Sequence, residues 1–214
     1  MRRAYLLLLR YIILNIAALA ILFYIWLEGW IGILIEQDVT GISLMIAGVF
    51  VVGWVICTFK VIRCSAELNA IMEPEQFGPS RAQWYLDLTS KTQNDSRASI
   101  AECLRSRLYS RISFIRAISN NLIILGLIGT VIGFIISLSG VDAERVADIA
   151  SVAPMVSTLI QGMSVALYTT LVGAVTHVWL SMCYHVLATG TVNLVNAIIE
   201  RSEVASIDNY QEII

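Results

Sequence analysis

Residues 120–138 read NNLIILGLIGTVIGFIISL, and residues 161–175 read QGMSVALYTTLVGAV. Both stretches are strongly apolar, yet each carries glycines and threonines at its centre. In a water-soluble core such residues pass without comment. In lipid, where no solvent satisfies a hydroxyl, their placement has consequences.

The rest of the chain decides for lipid. It has 214 residues, of which 57% are hydrophobic and only 14% charged, and its mean hydropathy is +0.77. Those values exclude an ordinary soluble domain. A helix needs roughly 17–25 apolar residues to cross a hydrocarbon core. Runs of that kind occur at 11–27, 42–59, 121–138 and 159–187, which gives four expected spans. The first run follows Arg2 and Arg3 and contains Ala18-Leu19-Ala20, but it continues through ILFYIWL. That length predicts a retained span rather than a cleaved leader. Arg10 near its start is expected to snorkel to the interface.

Charge placement predicts orientation. Arg2, Arg3 and Arg10 lie at the N-terminus and nine further Lys or Arg lie between Lys60 and Arg116, whereas the loop from Glu28 to Gly41 holds none. The positive-inside rule then puts both termini and the long middle segment in the cytoplasm, with two short loops outside. Tyr24, Trp26 and Trp30 fall at the outer headgroup level. The net charge of −2 conceals this asymmetry. Cys57, Cys64, Cys103 and Cys183 form no CxxC pair and are expected to be reduced, so no metal site follows.

The expected architecture is all-α and polytopic, with helices extended into the cytoplasm. Residues 1–59 form a first transmembrane hairpin, 60–117 a cytoplasmic helical domain, 118–188 a second hairpin, and 189–214 a cytoplasmic C-terminal helix and tail. Span two is expected to continue through KVIRCSAELNAIM to a break at Pro74, followed by a short helix near 81–88 and a turn at TQNDSR. Ser99 and Glu102 have capping-box spacing. Ile100, Leu104, Leu108, Ile112 and Ile115 then lie on one stripe of an amphipathic helix that runs into span three. With SIDNYQEII after span four, no long tail is expected.

Helical spacing puts Gly126, Gly129, Thr130, Gly133, Ser137 and Gly140 on one face of span three. It aligns Gly162, Ala166, Thr169, Thr170, Gly173, Thr176 and His177 on span four. Thr130 and Thr170 are both expected near mid-membrane depth. Two readings of these stripes stand side by side and are compatible. Gly129-x-x-x-Gly133 is a small-xxx-small packing pattern, and threonines bond across helices or back onto their own turn. Alternatively the hydroxyls line a polar passage where an ion loses its water. None of the four runs contains Asp or Glu. An ion-coupled protein ordinarily keeps an intramembrane carboxylate, so a carrier carboxylate would have to come from another polypeptide.

LGLIGTVIG (125–133) and GMSVALYTTLVG (162–173) resemble the paired signature segments of the MotA/TolQ/ExbB family, the larger subunits of ion-driven rotary motor units. The likeness covers roughly residues 100–200. Thr130 matches the threonine of the LGxxGTV segment and Thr170 that of the GxxxALxxT segment, with Thr169 a weaker match. Gly126, Gly129, Gly162 and Gly173 match motif glycines. The resemblance implies a homopentamer around a dimeric single-span partner of MotB/TolR/ExbD type, whose transmembrane Asp binds H⁺ or Na⁺. It implies no cofactor and no nucleic acid, and ion flow that turns one component against the other. Asn120-Asn121 stand where TolQ and ExbB often carry Ala-Pro, Val165 stands in place of a glutamate, and a later proline is missing. Four spans resemble the MotA layout, whereas the motifs read closer to TolQ and ExbB.

Other residues carry weaker signals. His177, seven residues after Thr170, is expected either to relay protons at an exit or to pack through a hydrogen bond. His185 is expected at the interface, and Pro154 as a helix-start residue just outside span four. Arg97, Arg105 and Arg111 could contact a cytoplasmic partner or form a solvated, topology-setting face. Asn15 could join helices or face a neighbouring subunit. No HExxH, GxSxG or P-loop occurs, which speaks against an enzyme. A stand-alone channel or transporter and a non-conducting scaffold remain the alternatives to the motor subunit.

Overall fold

The computed structural model describes residues 2–38, 40–72, 94–141 and 149–211. They form five helices: α1 (Arg2–Leu27), α2 (Trp30–Gln37), α3 (Ile42–Met72), α4 (Asn94–Ser139) and α5 (Ile149–Gln211). No strand occurs among the described residues. Four of the helices contain stretches long and apolar enough to cross a membrane, at Leu6–Leu27, Ile42–Asn69, Ala101–Ser139 and Val152–Glu200. Helix α5 has 63 residues, roughly 95 Å at the α-helical rise. A hydrocarbon core is about 30 Å thick. Helix α5 therefore projects well beyond the membrane, and α4, with 46 residues, does the same.

Several local expectations are corrected. The loop 28–41 contains a two-turn helix, α2, because WIGILIE is a continuous helix-compatible apolar run between two turns. Both turns use glycine in the left-handed region, Gly29 at φ 77° and Gly41 at φ 67°, where a Cβ would be strained. The Gly29 N–H donates to the Trp26 carbonyl at 3.0 Å and closes the end of α1. Pro154 lies inside α5 rather than at its start, because the helix begins at Ile149. It stands in the second turn, past the first-turn position that proline favours, so it removes the bond its N–H would give to the carbonyl four residues earlier. Helix α4 begins at Asn94, so Ser99 is interior and its spacing with Glu102 marks no helix start, and the last part of TQNDSR is helical. The expected helix near 81–88 and the break at Pro74 lie outside the described residues.

Between the first two spans, Asp38 serves two helices. Its backbone N–H closes α2 on Leu34 O at 3.1 Å. Its carboxylate accepts from the Ser43 N–H at 2.8 Å, an otherwise unpaired donor in the first turn of α3, and from the Thr40 hydroxyl at 2.9 Å. Partial burial by itself raises the Asp38 pKa. The hydrogen bonds from Thr40, Ser43 and Gly41 outweigh it and hold the carboxyl below its ordinary value.

The chain forms two compact units. One comprises Met1–Leu14, Ile56–Phe114 and Cys183–Ile214. Tyr11, Cys57, Val61, Leu68, Ile112 and Leu187 are buried in it. The Tyr11 and Thr58 hydroxyls lie 2.6 Å apart and join α1 to α3. Leu7 lies against Gly190, where a Cβ would come within 2.6 Å of its side chain. Ile112 continues the amphipathic stripe read from α4, and Leu108 is half-buried. None of the four cysteines forms a disulfide; Cys57, Cys64 and Cys183 are buried and Cys103 is exposed.

The other unit comprises Asn15–Val55 and Ile115–Met182. A buried amide organises it. The Asn15 side-chain oxygen accepts from the Trp54 indole at 2.7 Å and from the Trp179 indole at 3.2 Å, so one residue of α1 ties α3 and α5. Phe50 packs on Trp179 with ring centroids 5.2 Å apart. Gly53 admits Leu180 and Ile118, whose side chains would stand 2.9 and 3.0 Å from a Cβ at that position.

Candidate functional site

Within the second unit, the small faces of α4 and α5 meet each other. A Cβ on Gly133 would lie 2.6 Å from the Ala166 nitrogen, and one on Gly162 2.6 Å from the Gly133 carbonyl. A Cβ on Gly173 would come 2.9 Å from the Leu122 carbonyl, and one on Gly140 2.6 Å from Thr158. Except at Gly140, which faces a side chain, these are approaches of backbone to backbone, the geometry that small residues permit in membranes. Ser137 adds a cross-helix bond, donating to Leu159 O at 3.1 Å. Gly126, Gly129, Gly133, Gly162 and Gly173 are all in this seam.

The threonines divide into two kinds. Thr169 is fully buried, directly opposite Gly129, where a Cβ would meet its hydroxyl at 2.5 Å. Its proton goes back to its own helix, to Val165 O at 2.9 Å or Ala166 O at 3.1 Å. Thr130 and Thr170 lie at the edge of the seam and are half-buried. The Thr170 hydroxyl lies 3.4 Å from that of Thr130 and 3.3 Å from Gly126 O. Thr130 donates to Leu127 O at 2.8 Å and also approaches Gly126 O at 3.2 Å. Each hydroxyl has a single proton. The cluster therefore offers three neutral oxygens, two from side chains and one from the backbone, with lone pairs to spare. Oxygen groups of this type suit a hydronium or a hard cation such as Na⁺. Being uncharged, they offer no counter-charge of their own.

Thr176 is half-buried and back-bonded to Val172 O at 2.7 Å. His177 faces α4: its Nδ1 lies 2.7 Å from the Ser119 carbonyl, which can only accept, so Nδ1 carries the proton. The Ser119 hydroxyl in turn lies 3.2 Å from His177 O and donates to it. This reciprocal pair ties the helices two turns beyond Thr170. Ser119 was missed by the sequence reading, although it stands three and seven residues before Leu122 and Gly126 on the same face. Of the arginines expected at a partner contact, Arg105 and Arg111 are exposed on α4. The Arg97 side chain lies outside the described residues.

The seam is staggered against the first hairpin. Asn15, Phe50 and Gly53 meet α5 at Trp179 and Leu180, nine and ten residues from Thr170, roughly 14–15 Å. Leu27 is twelve residues beyond Asn15, about 18 Å. The Thr130/Thr170 pair is thus central to the apolar lengths of α4 and α5, but stands near the far end of α1.

The family model described as the MotA/TolQ/ExbB proton channel family matches residues 87–200. That region contains all of α4, the seam and most of α5. Comparison with curated proteins yields no match, and comparison with solved structures yields none. With its all-helical architecture and four candidate spans, the chain belongs to the MotA/TolQ/ExbB proton channel family.

Proposed function

We propose that this chain is the ion-channel-forming subunit of a motor complex driven by proton or sodium motive force. In this reading five copies surround a dimer of a single-span partner of MotB/TolR/ExbD type, and the partner's transmembrane Asp carries the ion. The observation that carries the proposal is the oxygen cluster of Thr130, Thr170 and Gly126, set in the apolar runs 121–138 and 159–187, which contain no acid. A lone neutral cluster cannot shuttle charge through lipid, but it can solvate an ion while a carboxylate binds and releases it. Repeated around a ring, it would give the partner's Asp equivalent stations, so that each ion passage advances one component relative to the other. The family is one of channels, and no enzymatic step is invoked.

In the same proposal the chain sits in the bacterial inner membrane with both termini in the cytoplasm. The excess of Lys and Arg between residues 60 and 116 supports this orientation. Residues 60–117 and 189–214 then form the cytoplasmic helices that pass motion to a target. Thr176 and His177 lie further along α5 toward that end; the His177–Ser119 pair fixes the helices beside the exit of the ion path.

The test is substitution of the hydroxyls. Thr130→Val and Thr170→Val preserve side-chain shape and remove the oxygens. Each is expected to abolish the ion-coupled output while the complex assembles at normal levels. Retained output in both variants would leave the seam a packing element alone.

A further inference from the structure

In the first unit, α3 and α4 bring cations together around a small cavity. Lys60, Arg63 and Arg111 line a space of about 120 Å³ whose inner wall is Leu108, Ile112 and Leu187. Lys60 donates to the backbone carbonyl of Arg111, which places the ammonium beside that residue and leaves it two further protons. Arg111 also borders a second hollow with Arg107, Ser106 and Ser110. Glu67 is the one acid among the described residues lining the first cavity, and even if it neutralises one cation, two remain. The positions are not random on the helices. Lys60 directly follows the apolar run 42–59, and Phe59, Ile62 and Phe114 beside the cations are exposed at 65%, 50% and 59%.

We infer that this cavity binds the phosphate of an anionic phospholipid, with the acyl chains lying along Phe59, Ile62 and Phe114. A phosphodiester accepts from two guanidinium forks and an ammonium at once. Basic pockets between transmembrane helices at the membrane surface take anionic headgroups in this way. The exposed aromatic and aliphatic flank favours a lipid over a soluble phosphate, which would gain nothing from it. It also favours a lipid over an acidic protein, which would meet the cations from water. The inference rests on the chain spanning a membrane and does not depend on the motor reading.

The experiment uses the full chain purified in mild detergent, with native mass spectrometry and thermal unfolding. Phosphatidylglycerol, phosphatidylcholine and inorganic phosphate are added separately. Phosphatidylglycerol is expected to bind and raise the midpoint, phosphatidylcholine to do neither, and inorganic phosphate to do neither at equal concentration. Each cation near an anionic headgroup contributes about a factor of five in affinity. Arg63→Gln with Arg111→Gln should therefore weaken phosphatidylglycerol binding about 25-fold, while Arg105→Gln, on α4 outside the cavity, should not. Equal binding of both lipids, equal stabilisation by free phosphate, or equal loss in Arg105→Gln would overturn the assignment. So would unchanged phosphatidylglycerol binding in the double variant, even if an acidic protein partner were lost from it. Should the double variant fold poorly, the lipid comparison on the unaltered chain decides alone.

Discussion

Thr169 and Thr170 are neighbours in sequence and about 100° apart around α5, and that rotation separates their surroundings. Thr169 points into the seam against Gly129 with its hydroxyl back-bonded, whereas Thr170 reaches Thr130 on the other helix. Thr169→Val is therefore expected to keep most of the ion-coupled output that Thr170→Val loses, as read by the coupled phenotype at matched expression. The glycines allow a similar contrast. Gly162→Ala drives a methyl into the Gly133 carbonyl and the Ser137 backbone, whereas Gly48 on α3 has open space around it. Overpacking of a tight core costs about 1–3 kcal/mol. Thermal unfolding in detergent should show that loss for Gly162→Ala and almost none for Gly48→Ala. The stripes were legible from 3.6-residue spacing, because glycines and threonines stand out against Leu, Ile and Val. Which of two adjacent threonines would meet the other helix was not legible, since it depends on where the two backbones touch. The Ser119–His177 pair was missed for the same reason.

At the scale of the elements, α4 and α5 form a hairpin with close backbone contact, and the Asn15 amide fixes the first hairpin to it. Asn15→Leu removes the acceptor that the Trp54 and Trp179 indoles share. A buried donor that loses its partner costs about 1–3 kcal/mol, so the unfolding midpoint should fall clearly, whereas Asn15→Gln should restore part of the loss. The α2–α3 junction carries a pH dependence. The Asp38 carboxyl is held below its ordinary value by hydrogen bonds to its charged form. Its contribution is therefore complete above the unfolded carboxylate range, about pH 4, and is lost as pH falls through the lowered value. Stability measured against pH should drop on the acid side in the natural chain and be flatter there in Asp38→Asn, which should start lower at neutral pH. Four long helices were legible from the lengths of the apolar runs alone. Helix α2 was not, because eight residues between two glycine turns carry no periodicity that distinguishes helix from loop. The position of Pro154 inside α5 was hidden by the helix beginning ten residues earlier than its apolar run suggested.

For the molecule as a whole, the exposed surface is the main fact. Val131, Phe134, Ile135 and Leu138 on α4 and Ile160, Met163 and Leu167 on α5 are all exposed in the single chain. Such a surface needs lipid or further protein around it. In the proposed assembly, this surface on the outer parts of α4 and α5 is where a ring of copies and a central partner would pack. Family membership, and with it the expectation of an oligomer, was legible from two motifs in order and spacing. The stagger was not, because it depends on the contacts of Asn15, Phe50 and Gly53 with residues more than a hundred positions away. The most direct measurement is the native mass of the gently solubilised complex from cells that also express the chromosomal neighbours. The account predicts five copies of this chain with two of a smaller single-span protein bearing a membrane Asp. A monomer or dimer with no companion would contradict it.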